Sequence, residues 1–239
     1  MPTAIELNLG PTTELGDPDQ WHGLACHLVG AHAEGGRLAP ISVWPTRREP
    51  ELAGDATLFR VNWLDDAVPP VTRLDSGTVR LGSQRFAVRS ATTTQQTYAV
   101  LAANAVAAKR VTFSFETPTY FSRRERDLPI PDPELVFASL GRRWDAFCPV
   151  GLRIGAQLGQ AVCGAVVVDG MRDVNIQVAG AAHASRRRGF TGVVSFSLLT
   201  GDSAARSCFS ALSAAAPYLG VGAQTTRGFG VVQRLDSDG

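Results

Sequence analysis

Three of the chain's four histidines, His22, His27 and His32, fall within eleven residues, and imidazole is the side chain best suited to moving a proton near neutral pH. Their spacing sorts them. On a helix turning about 100° per residue, Leu24, Ala25, Leu28 and Val29 form one apolar stripe. His32 falls inside that stripe, in the last turn before Gly35-Gly36, His22 lies at its edge, and His27 points to the polar side. His32 is therefore a candidate general acid or base at the mouth of a cleft, where the negative end of a helix favours imidazolium. The plainer alternative is a partly buried, satisfied histidine at a helix end. For His27 the plainer reading is a solvated surface residue.

A second chemical signal is the run Leu-Gly-Val-Gly-Ala-Gln-Thr-Thr-Arg-Gly-Phe-Gly-Val-Val at 219–232. Gly220, Gly222, Gly228 and Gly230 would let backbone amides approach a phosphate, and Arg227 adds a cation. The run follows a helix and precedes a strand, the reverse of a dinucleotide-binding fingerprint, and it lacks the Gly-Lys-Ser/Thr of a phosphate-binding P-loop. The four cysteines (26, 148, 163, 208) contain no close pair and none sits near a histidine at metal-ligand spacing. They read as small buried hydrophobes, and no metal or cofactor site is expected.

Positioning such residues requires a folded core. The 239 residues are 44% hydrophobic and 19% charged, which excludes a disordered tail. No apolar run is long enough to span a membrane and no secretory signal is visible, so a soluble, cytoplasmic protein is expected. The net charge is only +1, distributed as −2 over residues 1–109 and +3 over 110–239. Of 23 basic residues only Lys109 is a lysine, so any anion site is built from planar guanidinium forks.

The elements follow from periodicity. Ile5, Leu7 and Leu9 alternate as a strand, and Asp17-Pro18-Asp19 opens a helix. Strands at 38–44, 57–63 and 78–90, a helix at 95–108 and a strand at 110–116 follow. The order then recurs: a helix at 133–147, strands at 164–168, 173–179 and 190–199, a helix at 204–216 ending before Pro217, and a strand at 228–235. Two successive units of this kind predict an α+β fold of two tandem ferredoxin-like (RRM-like) domains, 1–109 and 110–239, the second ending in the glycine-rich loop. Two such units are expected to stack their sheets face to face around a cleft.

These segments together resemble the repeat-associated RNA-binding superfamily of CRISPR systems. The ending Tyr218–Val232 resembles its glycine-rich signature. Phe115-Glu-Thr-Pro-Thr-Tyr-Phe121, then Leu128-Pro-Ile-Pro131 and Phe137–Trp144, look like its conserved strand and helix, and Gly189–Phe196 looks like its Gly-Phe strand. His32-Ala-Glu-Gly-Gly-Arg-Leu-Ala-Pro-Ile-Ser-Val43 resembles the segment carrying the catalytic histidine of the precursor-RNA-processing endoribonucleases.

The resemblance implies metal-independent cleavage of CRISPR precursor RNA beside a repeat stem-loop, leaving 2′,3′-cyclic phosphate and 5′-hydroxyl ends. His32 would be the general acid or base. Members often carry a lysine a few residues later; here Arg37 stands there, able to stabilise charge but not to carry a proton. His27 would be the second proton group. Arg123, Arg124 and Arg126, Arg142 and Arg143, and Arg186, Arg187 and Arg188 would meet the RNA, as would Arg227 and the four glycines. His183 reads as a loop residue or an RNA contact. The implied partner is the repeat RNA, with other effector-complex subunits and a homodimer left open. The competing readings are a non-catalytic RNA-binding subunit of an effector complex and a ferredoxin-like small-molecule binder.

Overall fold

The computed structural model describes residues 1–10, 16–30, 38–49, 56–67, 77–104, 108–124, 126–180 and 186–235. The first sheet contains β1 (Thr3–Asn8), β2 (Ile41–Glu49), β3 (Ala56–Trp63) and β6 (Ser90–Gln95), in the antiparallel order β2-β3-β1-β6. The second contains β7 (Arg110–Thr119), β10 (Val166–Ala179), β11 (Arg187–Leu198) and β12 (Val232–Leu235), in the order β10-β11-β7-β12. Each order places the first strand between the third and the last, which is the ferredoxin-like arrangement, and the two units are in tandem as expected.

Each sheet buries one face of alternating side chains. In the first unit Ile5, Leu7, Val43, Phe59 and Val61 pack against Leu24, Leu28 and Val29 of α1 (Pro18–Val29). In the second, Phe113, Phe115, Phe190 and Phe196 pack against α3 (Pro133–Phe147) and α5 (Ser203–Leu219), with Phe137 stacked on Phe209 at 4.8 Å.

The first unit departs from the expected order. The predicted strand at 78–90 is a hairpin, β4 (Thr78–Leu81) and β5 (Gln84–Ala87), turned by Gly82-Ser83, with Gly82 at φ +62°. Val79 and Leu81 enter the first core beside α1, where a second helix would otherwise lie. The closing strand is β6, and the helix predicted over 95–108 is a short one after it, α2 (Tyr98–Ala103). Its two buried residues, Tyr98 and Leu101, join the second core instead. The strand predicted to close the first unit is β7, the first strand of the second sheet.

The second unit adds two elements not foreseen, the hairpin β8 (Phe121–Arg123) and β9 (Arg126–Leu128), and α4 (Gly155–Ala165), which leads directly into β10. The helix expected to stop before Pro217 runs to Leu219. The carbonyls of Pro217 and Tyr218 lie in its last turn, where no intrahelical donor follows. The first sheet supplies donors: Ser42 Oγ reaches Tyr218 O at 2.5 Å, and Trp44 Nε1 and Asn62 Nδ2 reach Pro217 O at 3.2 and 3.3 Å. The units therefore meet as a sheet face against a helix end. Among the described residues, β2 and β3 supply the donors and the last turn of α5 the acceptors of this contact.

Candidate active site

The helix that carries the histidines is set by its ends. The Asp17 carboxylate accepts from the amides of Asp19 and Gln20, Pro18 occupies the first turn, and Gly30 closes the helix at φ +60°. Leu24, Ala25, Leu28 and Val29 are buried, the stripe that the spacing predicted. His27 is exposed in the last turn. His22 is half-buried, with Nδ1 3.1 Å from the carbonyl oxygen of Thr226 and Nε2 3.6 Å from Cys26 Sγ. The helix thus ends at Val29, before His32, and not at Gly35-Gly36 as its spacing predicted, because Gly30 takes the left-handed conformation that closes it. His32 and Arg37 lie outside the described residues, in the segment that joins α1 to β2, and His183 lies outside them between β10 and β11.

The glycine-rich run folds back onto α1 and β2. Its turn, Thr225–Arg227, sits between these elements, and Arg227 forms an ion pair of 2.6 Å with Asp19. All four predicted glycines are buried at positive φ. At Gly230 a Cβ would collide with the carbonyl of Val221, and at Gly222 with that of Tyr120. The amides are already committed: Val221 N donates to Gly230 O, Gly222 N to Ser139 Oγ, Ala223 N to Tyr120 O and Gly230 N to Pro118 O. Gly222 and Gly230 thus serve close backbone packing inside the chain, and the amides of Val221, Gly222, Ala223 and Gly230 are bonded within it.

The arginine clusters behave differently. Arg123 and Arg126 face each other across the β8–β9 hairpin, with Arg124 at its turn at φ +48°, and all three are exposed. β9 packs against β11, and Arg187 at the start of β11 lies 3.7 Å from Asp127. Arg186 and Arg188 flank it, exposed. Two clusters some sixty residues apart in sequence thus form one basic surface, a convergence that sequence spacing does not reveal.

The neighbouring pair on α3 splits. Arg142 is exposed. Arg143 is 4% exposed and faces the seam between the units, where one terminal nitrogen donates to the carbonyl of Ile41 at 2.9 Å. Its Nε is buried without a partner. Burial first, and the neighbouring Arg142 second, bring the pKa of this guanidinium down to about 10. It is not presented to an external ligand.

Burial likewise raises all four thiols, Cys148 to about 11 and Cys208 to about 12, so they are protonated at neutral pH and are poor nucleophiles. Among the described residues, no three of His, Cys, Asp and Glu gather closely enough to hold a metal ion. Nor is any helix there long and apolar enough to cross a membrane.

A tandem ferredoxin-like fold with one surface of convergent arginines defines a class of protein suited to a polyanion. The model of the CRISPR-associated endoribonuclease Cas6 family matches residues 113–232, and the chain belongs to that family. It is similar over nearly its whole length to solved Cas6 structures. A Cas6 product complex is 26% identical, with a TM-score of 0.82, covering 99% of this chain and 100% of that one. A product complex of a Thermus thermophilus Cas6 is 25% identical, again with a TM-score of 0.82, covering 98% of this chain and 100% of that one. A substrate-mimic complex is 26% identical with a TM-score of 0.78, covering 98% and 99%. No protein of curated function matches the sequence. As a Cas6-family member, the chain is an RNA-cleaving enzyme of CRISPR RNA processing.

Proposed function

We propose that this endoribonuclease cuts CRISPR precursor RNA within its repeats, beside a stem-loop, without a metal ion. The observation that carries the reading is the similarity in shape, over nearly the whole chain, to Cas6 proteins solved with product and with substrate mimic. The basic surface on β8, β9 and β11 suits the phosphates of an A-form stem, which are read by charge and shape. Arg142, exposed on α3, is a further candidate contact, while Arg143 is buried within the fold.

In the proposed reaction the 2′-hydroxyl loses its proton and its oxygen attacks the adjacent phosphorus. The P–O5′ bond breaks, and the departing 5′-oxygen takes up a proton. The products are a 2′,3′-cyclic phosphate and a 5′-hydroxyl, and protons balance. His32 is the general acid or base, beyond the C-terminus of α1, whose dipole favours imidazolium. Arg37 stabilises the charge that grows on the phosphorane. His27, exposed in the last turn of α1, is the candidate second proton group. One related Cas6 was solved as a histidine-to-alanine mutant, which keeps attention on a histidine. The reading divides the chain at 109/110, although α2 lends side chains to the second core. It places the protein in the cytoplasm, with effector subunits or a second copy as further partners.

The test is cleavage of labelled repeat RNA in EDTA by wild type and His32→Ala, with analysis of product ends. A cyclic phosphate from the wild type, lost in the variant while RNA binding persists, supports the assignment. Tight binding without cleavage by the wild type would make the chain a non-catalytic subunit. Full activity in the variant removes the role of His32.

A further inference from the structure

We propose that β6 is the docking edge for a second copy of this chain, which pairs with it antiparallel across a two-fold axis and joins the two first-unit sheets of four strands into one. This gives a second copy its place on the fold and does not depend on the cleavage chemistry.

A sheet edge presents a row of unpaired N–H and C=O groups, and soluble proteins blunt such edges with charge, proline, breaks in register, brevity or a covering loop. The edge strands here are β2 and β6 in the first sheet and β10 and β12 in the second. Three of them are guarded. β2 carries Pro45, loses register between Trp44 and Arg47, and packs against the Thr225–Arg227 turn. β10 breaks register twice, after Val168 and after Arg172. The second break holds Asp173 at φ +55°, and Arg172 and Asp173 are both exposed. β12 is four residues long and exposes Arg234. β6 has none of these devices. Its sequence, Ser-Ala-Thr-Thr-Thr-Gln, contains no charge and no proline, and its register with β1 runs unbroken from Ser90 to Gln95. Every residue from Arg89 to Gln96 is exposed, and among the described residues no strand pairs beyond it.

The composition of the strand selects the occupant. An uncharged edge gives an acidic or basic segment nothing to recognise, whereas it matches itself. A two-fold axis normal to the sheet keeps like faces together and sets one residue opposite its own copy. Through Thr93, it puts Thr92 against Thr94, Ala91 against Gln95 and Ser90 against Gln96. Through Thr92, it puts Ala91 against Thr93 and Ser90 against Thr94. Either axis centres threonine on threonine, a favourable cross-strand pair of a residue that suits extended backbone. No like charges face each other, and the two Arg89 residues fall at opposite ends of the ladder. A ladder of six residues buries less than the roughly 1,200 Å² of a stable interface, so dissociation is expected on the order of 10 to 100 µM.

The experiment is sedimentation velocity of the full chain without RNA, over about 5 to 300 µM to bracket that range. It compares wild type, Thr93→Lys, Thr93→Glu and an equal mixture of the two variants, with melting temperatures to check that each folds. Wild type is expected to pass from monomer to dimer as concentration rises. Each variant alone sets like charges opposite or diagonal across the axis and should dissociate about 10-fold more readily or worse, while the mixture recovers the dimer through a Lys–Glu pair. Hydrogen exchange over residues 89–96 of the unmodified chain should slow as concentration rises, a readout that needs no variant. A wild type that stays monomeric with unchanged exchange would overturn the proposal. So would single variants that dimerise as well as wild type, which puts the contact elsewhere, or a mixture that stays monomeric while wild type dimerises.

Discussion

The two units lay their four strands in the same order but close their cores differently. The second uses two long helices, α3 and α5, with buried phenylalanines on both layers. The first has α1, and where a second helix would lie it has the β4–β5 hairpin. Its own later helix, α2, is given to its neighbour. The second unit is therefore the better-filled scaffold and presents the convergent arginines. The first unit borrows support from the second and contains the candidate proton-transfer residues. Binding and chemistry are thus expected to separate by unit, which can be tested by mutation.

The largest expected effect is in the first unit. His32→Ala should lower single-turnover cleavage by about 10² to 10⁴-fold while leaving RNA affinity in place, measured by filter binding. Equal losses in rate and affinity would break the division. Next comes the joint. Gly230→Ala forces a Cβ into the Val221 carbonyl at φ +68°, and it should cost roughly 3 kcal/mol or more in urea unfolding. A mild loss would mean that the glycine-rich turn yields more easily than its packing indicates.

In the second unit, alanine at Arg123, Arg124 and Arg126 together should weaken binding about 10- to 100-fold at moderate salt. The slope of log affinity against log salt should become shallower by roughly 2. Cleavage at saturating enzyme should be nearly unchanged. The smallest effect is a gain. Gly23, exposed inside α1, has nothing within 4 Å of an added Cβ and no positive φ, so Gly23→Ala should raise stability by about 0.5–1 kcal/mol. The opposite signs at Gly23 and Gly230 separate a glycine on an open helix face from one required by close packing.

Much of the scaffold was legible because burial imposes a period. Ile5, Leu7 and Leu9 announced β1, and Leu24 to Val29 announced the buried stripe of α1. Asp132-Pro133 placed the start of α3. Elements that bury little were not legible. All six residues of β6 are exposed, and its pairing with β1 is made by backbone alone. Among the residues of α4, rich in glycine and alanine, only Val162 is buried. The hairpin was misread as one strand because Val79 and Leu81 alternate and so do Phe86 and Val88, although the phase slips by one residue across Gly82-Ser83, where the chain turns.

For the site, residue types carried the reading and distance in sequence limited it. Helix phase correctly turned His27 outward and put His22 at the stripe's edge, but nothing local could join His22 to Thr226. The glycines of 220–230 look alike whether they admit a phosphate or another backbone, and only the partners of their amides decide. Arg142 and Arg143 are indistinguishable by composition, yet one turn angle on α3 sends the first to solvent and the second into the seam.

The capped end of α5 has a metrical consequence. A seam held by apolar area can slide by a fraction of a residue at small cost, whereas Ser42, Trp44 and Asn62 meet the Pro217 and Tyr218 carbonyls in only one alignment. The two units are thereby locked at one separation. On the proposed reading, in which the second unit grips the stem and the first cuts, that separation would act as a ruler. The number of nucleotides between the stem and the scissile bond would be counted by the protein's own seam, and not by the RNA.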